Sequence, residues 1–183
     1  MSEDHLVRYC APTLAGIKTG SLFGCTCTCA DALRKTVRDL NKRLVPKGLR
    51  ILPLQFTEQK ALMYVYRPSG LRQDLAHKTA VRLLEENGYC TGSCENCIAQ
   101  LSRRLRDCDD FPHEIGLFLG YPPEDVAGFM DNKACNCKCV GCWKVYGDVD
   151  AAKKKFKQYH KCSQIYQKCW ENGSSLERLA VAR

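Results

Sequence analysis

Leu49-Arg-Ile-Leu-Pro53-Leu-Gln-Phe56, Thr57-Glu-Gln59 and Lys60-Ala-Leu-Met-Tyr-Val-Tyr66-Arg67 together decide the fold class. Two runs rich in Leu, Ile, Val and Tyr flank a short polar break, the pattern of a β-hairpin. Proline has no N–H to give a ladder, so Pro53 assigns the first arm to a sheet edge or interrupts it. Upstream, Leu33, Val37, Leu40 and Leu44 recur at helical spacing, with Arg34, Lys35, Arg38 and Lys42 between them. This predicts a helix over Asp31–Val45 stopped by Pro46 and Gly48. Gly20–Cys25 before it reads as a short strand.

Downstream, Leu71, Leu75, Val81 and Leu84 predict a helix over Ser69–Glu86, ended by Asn87-Gly88. Another is expected over Cys94–Arg106. Pro112 and Pro122 suit the first turns of two short helices, carrying Ile115–Leu119 and Val126–Met130. Lys138–Tyr146 alternates enough for a strand, and Asp148–Trp170 has helical period in Val149, Ala152, Phe156, Tyr159, Tyr166 and Trp170. Setting aside a helical insertion at about 94–131, the order is β-α-β-β-α-β. The expected fold is therefore α+β and ferredoxin-like (split βαβ), a small antiparallel sheet with a long C-terminal helix. The 183 residues suffice for one domain carrying that insertion.

Composition narrows the function classes. At 45% hydrophobic and 26% charged residues the chain has a globular balance, and Ile115–Leu119, among its longest apolar stretches, is far short of a membrane span. The opening MSEDHLVRYC is polar and acidic, unlike a secretory signal, so a cytoplasmic location is expected. The net charge of +8 permits weak attraction to nucleic acid. Lys153–Lys155, Lys157 and Lys161, however, read more simply as the solvated face of the last helix. Gly16, Gly20 and Gly24 do not form a phosphate loop, and His113-Glu114 does not extend to a metalloprotease motif because position 117 is Leu.

The 14 cysteines are the unusual feature. Ten fall in three runs: Cys25-Thr-Cys27-Thr-Cys29, Cys90-Thr-Gly-Ser-Cys94-Glu-Asn-Cys97 and Cys135-Asn-Cys137-Lys-Cys139-Val-Gly-Cys142. Bunched thiols in a reducing compartment point to metal or redox chemistry more than to a disulfide framework. Thiolate is a soft ligand for zinc, copper(I) or iron–sulfur centres. Cys94-x2-Cys97 and Cys139-x2-Cys142 let one turn offer two sulfurs to one ion. Cysteines two apart on a regular strand stand roughly 6.5–7 Å from each other and share an ion only where the strand bends. In the expected fold the last strand lies beside the first, which would bring all three runs to one end of the sheet. The leading expectation is thus a protein that binds a soft metal or an iron–sulfur centre, in metal handling or electron transfer, with a metal ion or a redox protein as partner.

Competing readings exist. Cys108 and Cys169 read as small buried hydrophobes, and any of the runs could be reversible disulfides. Cys90-x3-Cys94-x2-Cys97 has the spacing with which radical-SAM enzymes hold a four-iron cluster, but it joins two predicted helices instead of following a barrel strand. Alternative functions are a small thiol-dependent enzyme with Cys10 as nucleophile and His113 and Glu114 as the base and its neighbour, or a basic module that interacts with nucleic acid.

Three segments carry a family resemblance: Cys10-Ala-Pro-Thr-Leu-Ala-Gly16 through Ser21-Leu-Phe23, Phe111-Pro-His-Glu-Ile-Gly-Leu-Phe-Leu-Gly-Tyr-Pro122, and Trp143-Lys-Val-Tyr146. Nearly the whole chain resembles the domain-of-unknown-function family 3793, of mainly anaerobic bacteria. The resemblance implies no established reaction. It singles out Cys10, Pro12, Thr13, His113, Glu114, Trp143, Lys144 and Tyr146, and the runs at Cys25–Cys29 and Cys135–Cys139 stand outside the family pattern.

Overall fold

The computed structural model describes residues 1–107 and 110–182, and Cys108 lies outside them. The chain divides into two compact units, Met1–Ser69 with Tyr159–Arg183, and Gly70–Gln158.

The first unit is built on the hairpin. Strands β1 (Gly20–Thr26), β2 (Arg50–Phe56) and β3 (Lys60–Tyr66) form an antiparallel sheet in the order β1-β3-β2. Apolar β3, buried at five of its seven positions, takes the centre. Pro53 sits on an edge strand as its missing N–H requires, and the register slips between Pro53 and Gln55. Helix α2 (Ala30–Leu44) buries Leu33, Val37, Leu40 and Leu44, the four residues whose spacing announced it.

A helix that sequence reading passed over, α1 (Glu3–Leu14), precedes the sheet. Leu6, Val7, Cys10 and Leu14 form its buried stripe, and Pro12 lies in its last turn. From sequence, Cys10-Ala-Pro-Thr reads as the entry to a proline-stiffened loop, but the segment is helical and the proline stiffens the helix end. Arg67 closes that end. Its buried guanidinium donates to the carbonyls of Thr13 (2.7 Å), Leu14 (2.6 Å) and Val181 (2.8 Å), occupying acceptors that a helix terminus leaves open.

The second unit is mainly helical. The single helix expected over Ser69–Glu86 is two, α3 (Pro68–Leu75) and α4 (Lys78–Glu86), because His77 adopts an extended backbone between them. Helices α5 (Cys94–Asp107), α6 (Ile115–Phe118) and α7 (Pro123–Asp131) lie where the prolines and apolar periods placed them.

The expected last strand is different. Instead of extending from Lys138 to Tyr146 beside β1, it makes two short strands, β4 (Cys139–Val140) and β5 (Lys144–Val145), paired only with each other as a separate sheet. Gly141 donates its N–H to the Trp143 carbonyl at 3.0 Å and folds the segment on itself. With three strands in the main sheet, the four-stranded split βαβ arrangement is not formed among the described residues. Its consequence, a first strand flanked by the 138–146 strand, is corrected with it.

Helix α8 (Val149–Glu171) starts where Asp148 accepts the N–H groups of Asp150 and Ala151. Its Lys153, Lys154, Lys155, Lys157 and Lys161 are exposed. A short α9 (Leu176–Leu179) follows, capped by Ser175. No described helix is long and apolar enough to cross a membrane.

Candidate functional site

Asp125 organises the second unit. It lies in the first turn of α7, buried, and spends both oxygens inside the protein. One accepts the Trp143 indole N–H at 2.6 Å, and the other accepts the backbone N–H groups of Tyr146 and Gly147, both at 2.7 Å. A buried carboxylate survives only with such charge-assisted partners. The same three bonds hold the hairpin β4–β5 against α7.

Trp143 then stacks on Tyr121 (centroids 4.9 Å apart) and meets Phe156 edge-on at 4.5 Å. Three glycines make room for this packing. A Cβ on Gly141 would stand 2.1 Å from the Phe156 ring, one on Gly128 2.5 Å from Tyr146, and one on Gly116 2.8 Å from Val126. Between the hairpin and α7 remains a cleft of about 300 Å³ with His113, Tyr121, Phe129, Trp143 and Lys144 among its walls. Lys144 bonds the Ala134 carbonyl at 2.7 Å, its ammonium 5.7 Å from the centre of the Phe129 ring.

Glu114 turns the other way. It is buried, accepts the Tyr89 hydroxyl at 2.8 Å and lies 2.8 Å from Arg104 Nε, whose N–H is not aligned with it. Burial, with Glu114 beside it, raises the Tyr89 hydroxyl pKa. His113, its sequence neighbour, is exposed at the cleft, 4.9 Å from the Phe129 ring. The two residues proposed to act together therefore do different jobs: Glu114 anchors the unit and His113 faces the cleft.

Cys10 belongs to the first unit and has no solvent exposure. Burial pushes its thiol up to about 12, against smaller opposing effects of Lys18 and Ser21. A nucleophilic cysteine works as thiolate, and this environment withholds it. Thr13, beside it, shares a 2.8 Å hydrogen bond with Ser21. The first family-like segment is therefore packing machinery, while Trp143, Lys144 and Tyr146 meet around Asp125 and the cleft.

The three thiol runs have different fates. In the first unit Cys25 and Cys27 point into the core with Phe23 and Leu33, and Cys29 is exposed just before α2. In the second unit Cys90 is exposed, Cys94 half-buried and Cys97 buried at the start of α5. The last run sits on the hairpin and the loop before it, with Cys135 and Cys142 exposed and Cys137 and Cys139 half-buried. That loop turns sharply: Lys133, Ala134 and Asn136 hold positive φ angles of 47°, 64° and 57°, costly for non-glycine residues.

At this turn the Tyr146 hydroxyl is shut away from solvent with no hydrogen-bond partner. Desolvation, then Cys137 and Cys135, raise its pKa. Among the described residues no three His, Cys, Asp or Glu side chains stand together ready to hold a metal. Cys162 and Cys169, on α8, are half-buried.

Sequence reasoning missed Asp125, Tyr121, Phe129 and Phe156. An acid in a helix's first turn is ordinary in sequence, and Asp125 is distinguished only by its burial.

The family model described as "Protein of unknown function (DUF3793)" matches residues 6–180 of the chain. No curated protein and no solved structure matches the chain.

Proposed function

The chain belongs to the DUF3793 family, and we propose that this member binds one soft metal ion through Cys135, Cys137, Cys139 and Cys142. The observation that carries the reading is the buried, unpartnered Tyr146 hydroxyl beside Cys135 and Cys137. A donor shut away from water without an acceptor is unfavourable. A thiolate formed by metal binding supplies the acceptor it lacks, and such outer hydrogen bonds orient metal ligands. Lys138 and Lys144 carry positive charge on the same hairpin, offsetting the negative charge of a tetrathiolate site.

The sulfurs are accessible and close in sequence but not gathered. The ion itself would draw the loop closed, so that binding and local folding are one event. Zinc fits a closed four-sulfur site best, and an iron–sulfur centre uses the same four thiolates. The first would make the protein a zinc or copper(I) handler, the second an electron carrier with a redox protein as partner. Either suits a reducing cytoplasm.

Anaerobic purification followed by metal analysis, acid-labile sulfide assay and visible spectroscopy tests this. One equivalent of metal, lost in Cys137→Ser and Cys139→Ser but kept in Cys25→Ser and Cys94→Ser, is the expected result. Protein that stays metal-free after reconstitution with zinc, copper(I) and iron plus sulfide rejects it.

The cleft favours a second reading, small-molecule binding. Its aromatic walls and the exposed His113 suit a flat ligand. A thiol-dependent reaction through Cys10 lacks this support, because that thiol is buried.

A further inference from the structure

The remaining run in the second unit has a geometry of its own. Cys94 opens α5 and Cys97 lies one turn later, so the two share a helix face. Their exposures differ: Cys94 is half-buried, whereas Cys97 is only 2% exposed. Ser93 accepts the Asn96 N–H at 3.1 Å, fixing the helix start, and Gln100 accepts the Cys90 N–H at 2.8 Å, pinning the loop back on the helix. The Cys97 thiol points at that loop, 3.6 Å from the Cys90 carbonyl oxygen. In front of Cys94 is an open pocket of about 360 Å³ with Arg72, Leu75, Val81, Thr91 and Glu95 on its walls. An accessible first thiol, a sheltered second one a helical turn away and a pocket beside the first are the parts of a dithiol exchange site.

We propose that Cys94 and Cys97 form a reversible dithiol–disulfide pair that reduces a small disulfide admitted to this pocket. Cys94 loses its proton and its thiolate attacks one sulfur of the substrate. The new bond joins Cys94 to that sulfur, the substrate's S–S bond breaks, and the first thiolate leaves and takes up a proton. Cys97 then gives up its proton and attacks Cys94. The intramolecular disulfide forms, the mixed disulfide breaks, and the second thiolate leaves and is protonated. Protein dithiol and one disulfide become protein disulfide and two thiols, with two electrons passed.

Arg72 and Glu95 face Cys94 with opposite effects. Burial raises the Cys94 thiol most, the Glu95 charge raises it further, and the Arg72 charge opposes both by favouring the thiolate. Burial likewise raises Cys97, with smaller contributions from Cys94 and Cys90. Thiolates that are not specially stabilised make a reducing pair rather than an oxidising one. Exposed Cys90 is not needed for the ring.

The full-length protein, reduced under argon, is treated with oxidised glutathione, quenched with iodoacetamide and digested with trypsin. The peptide of residues 83–103 contains Cys90, Cys94 and Cys97 together. The expected result is loss of two alkylatable thiols from this peptide with no glutathione attached, reversed by dithiothreitol. Cys90→Ser keeps the disulfide. Cys97→Ala stops at a Cys94–glutathione adduct, and Cys94→Ser forms no internal disulfide. Only mixed disulfides in the wild type, no reaction, or loss of the internal disulfide in Cys90→Ser each overturns the proposal. The wild-type measurement decides even if Cys97→Ala proves unstable.

Discussion

Two runs of the same spacing, Cys25-Thr-Cys27-Thr-Cys29 and Cys135-Asn-Cys137-Lys-Cys139, meet opposite fates. The first begins on a strand, whose two-residue period sends Cys25 and Cys27 to the same inward face, among Phe23, Leu33 and Met63. The second passes through a turn with left-handed backbone at Lys133, Ala134 and Asn136 and enters a two-residue strand, which leaves Cys135 exposed and Cys137 and Cys139 only half-buried. Spacing alone is therefore a poor guide to thiol chemistry. What matters is whether the local backbone aims the sulfur at the core, where it behaves as a hydrophobe, or at water, where it can ionise and bind.

The sharpest way to break the contrast is to release the hairpin. Asp125→Ala removes three hydrogen bonds, one of them to the buried Trp143 indole. With three N–H donors left without their acceptor at about 1–3 kcal/mol each, the loss in urea unfolding should be at least about 3 kcal/mol. Metal binding should weaken with it if the thiol hairpin needs its anchor, and unchanged stability would show that Asp125 anchors nothing. Gly141→Ala comes next. The new methyl meets the Phe156 ring, and overpacking of this kind costs about 1–3 kcal/mol, read as a fall in Tm with loss of Trp143 near-UV ellipticity.

A paired substitution addresses the two runs directly. Cys25→Ser buries a hydroxyl in the first unit's core and should destabilise metal-free protein by about 1–3 kcal/mol. Cys137→Ser should leave metal-free stability within about 0.5 kcal/mol, as surface changes do. Equal effects would erase the distinction.

The pH response of Cys10 sharpens the core side of the contrast. Its folded pKa is raised from 9.0 to about 12, so the folded state binds the thiol proton more tightly than the unfolded chain. This contribution is complete below pH 9 and is lost as pH rises from there toward 12. Unfolding midpoints of wild type should therefore fall more steeply in that window than those of Cys10→Ala. At neutral pH, Cys10 should also be the last to react with iodoacetamide, and Cys135 and Cys142 among the first. The smallest effect concerns Glu177, which Arg43 holds down to about 2. Stability from this pair is present above the ordinary carboxylate range and fades as pH falls through about 2. Being partly exposed, the pair should contribute under about 1 kcal/mol, seen as a small difference from Glu177→Gln between pH 5 and pH 2.

Legibility followed the range of the interactions. Helix α2, the hairpin of β2 and β3 and the edge position of Pro53 were readable because each rests on local period or on one residue's missing N–H. Helix α1 was equally periodic in Leu6, Val7, Cys10 and Leu14, but Pro12 drew the reading toward a loop. The family-like segments around His113 and Trp143 both contribute walls to the cleft. Their division of labour, Glu114 inward to Tyr89 and His113 outward to the cleft, followed only from which side chain was buried.

The order of periodic elements, the crowding of cysteines and the segments that carry family membership were all determined by the sequence alone, since they depend on residue type and spacing along one chain. Tertiary structure decided that Cys25 and Cys27 are core, that the 138–146 segment pairs with itself, and that Asp125 ties Trp143 to Tyr146 and Gly147. The physical reason is that burial and hydrogen-bond partnership belong to pairs of groups distant in sequence. Desolvation, which separates an inert thiol from a reactive one, acts only once those groups have met.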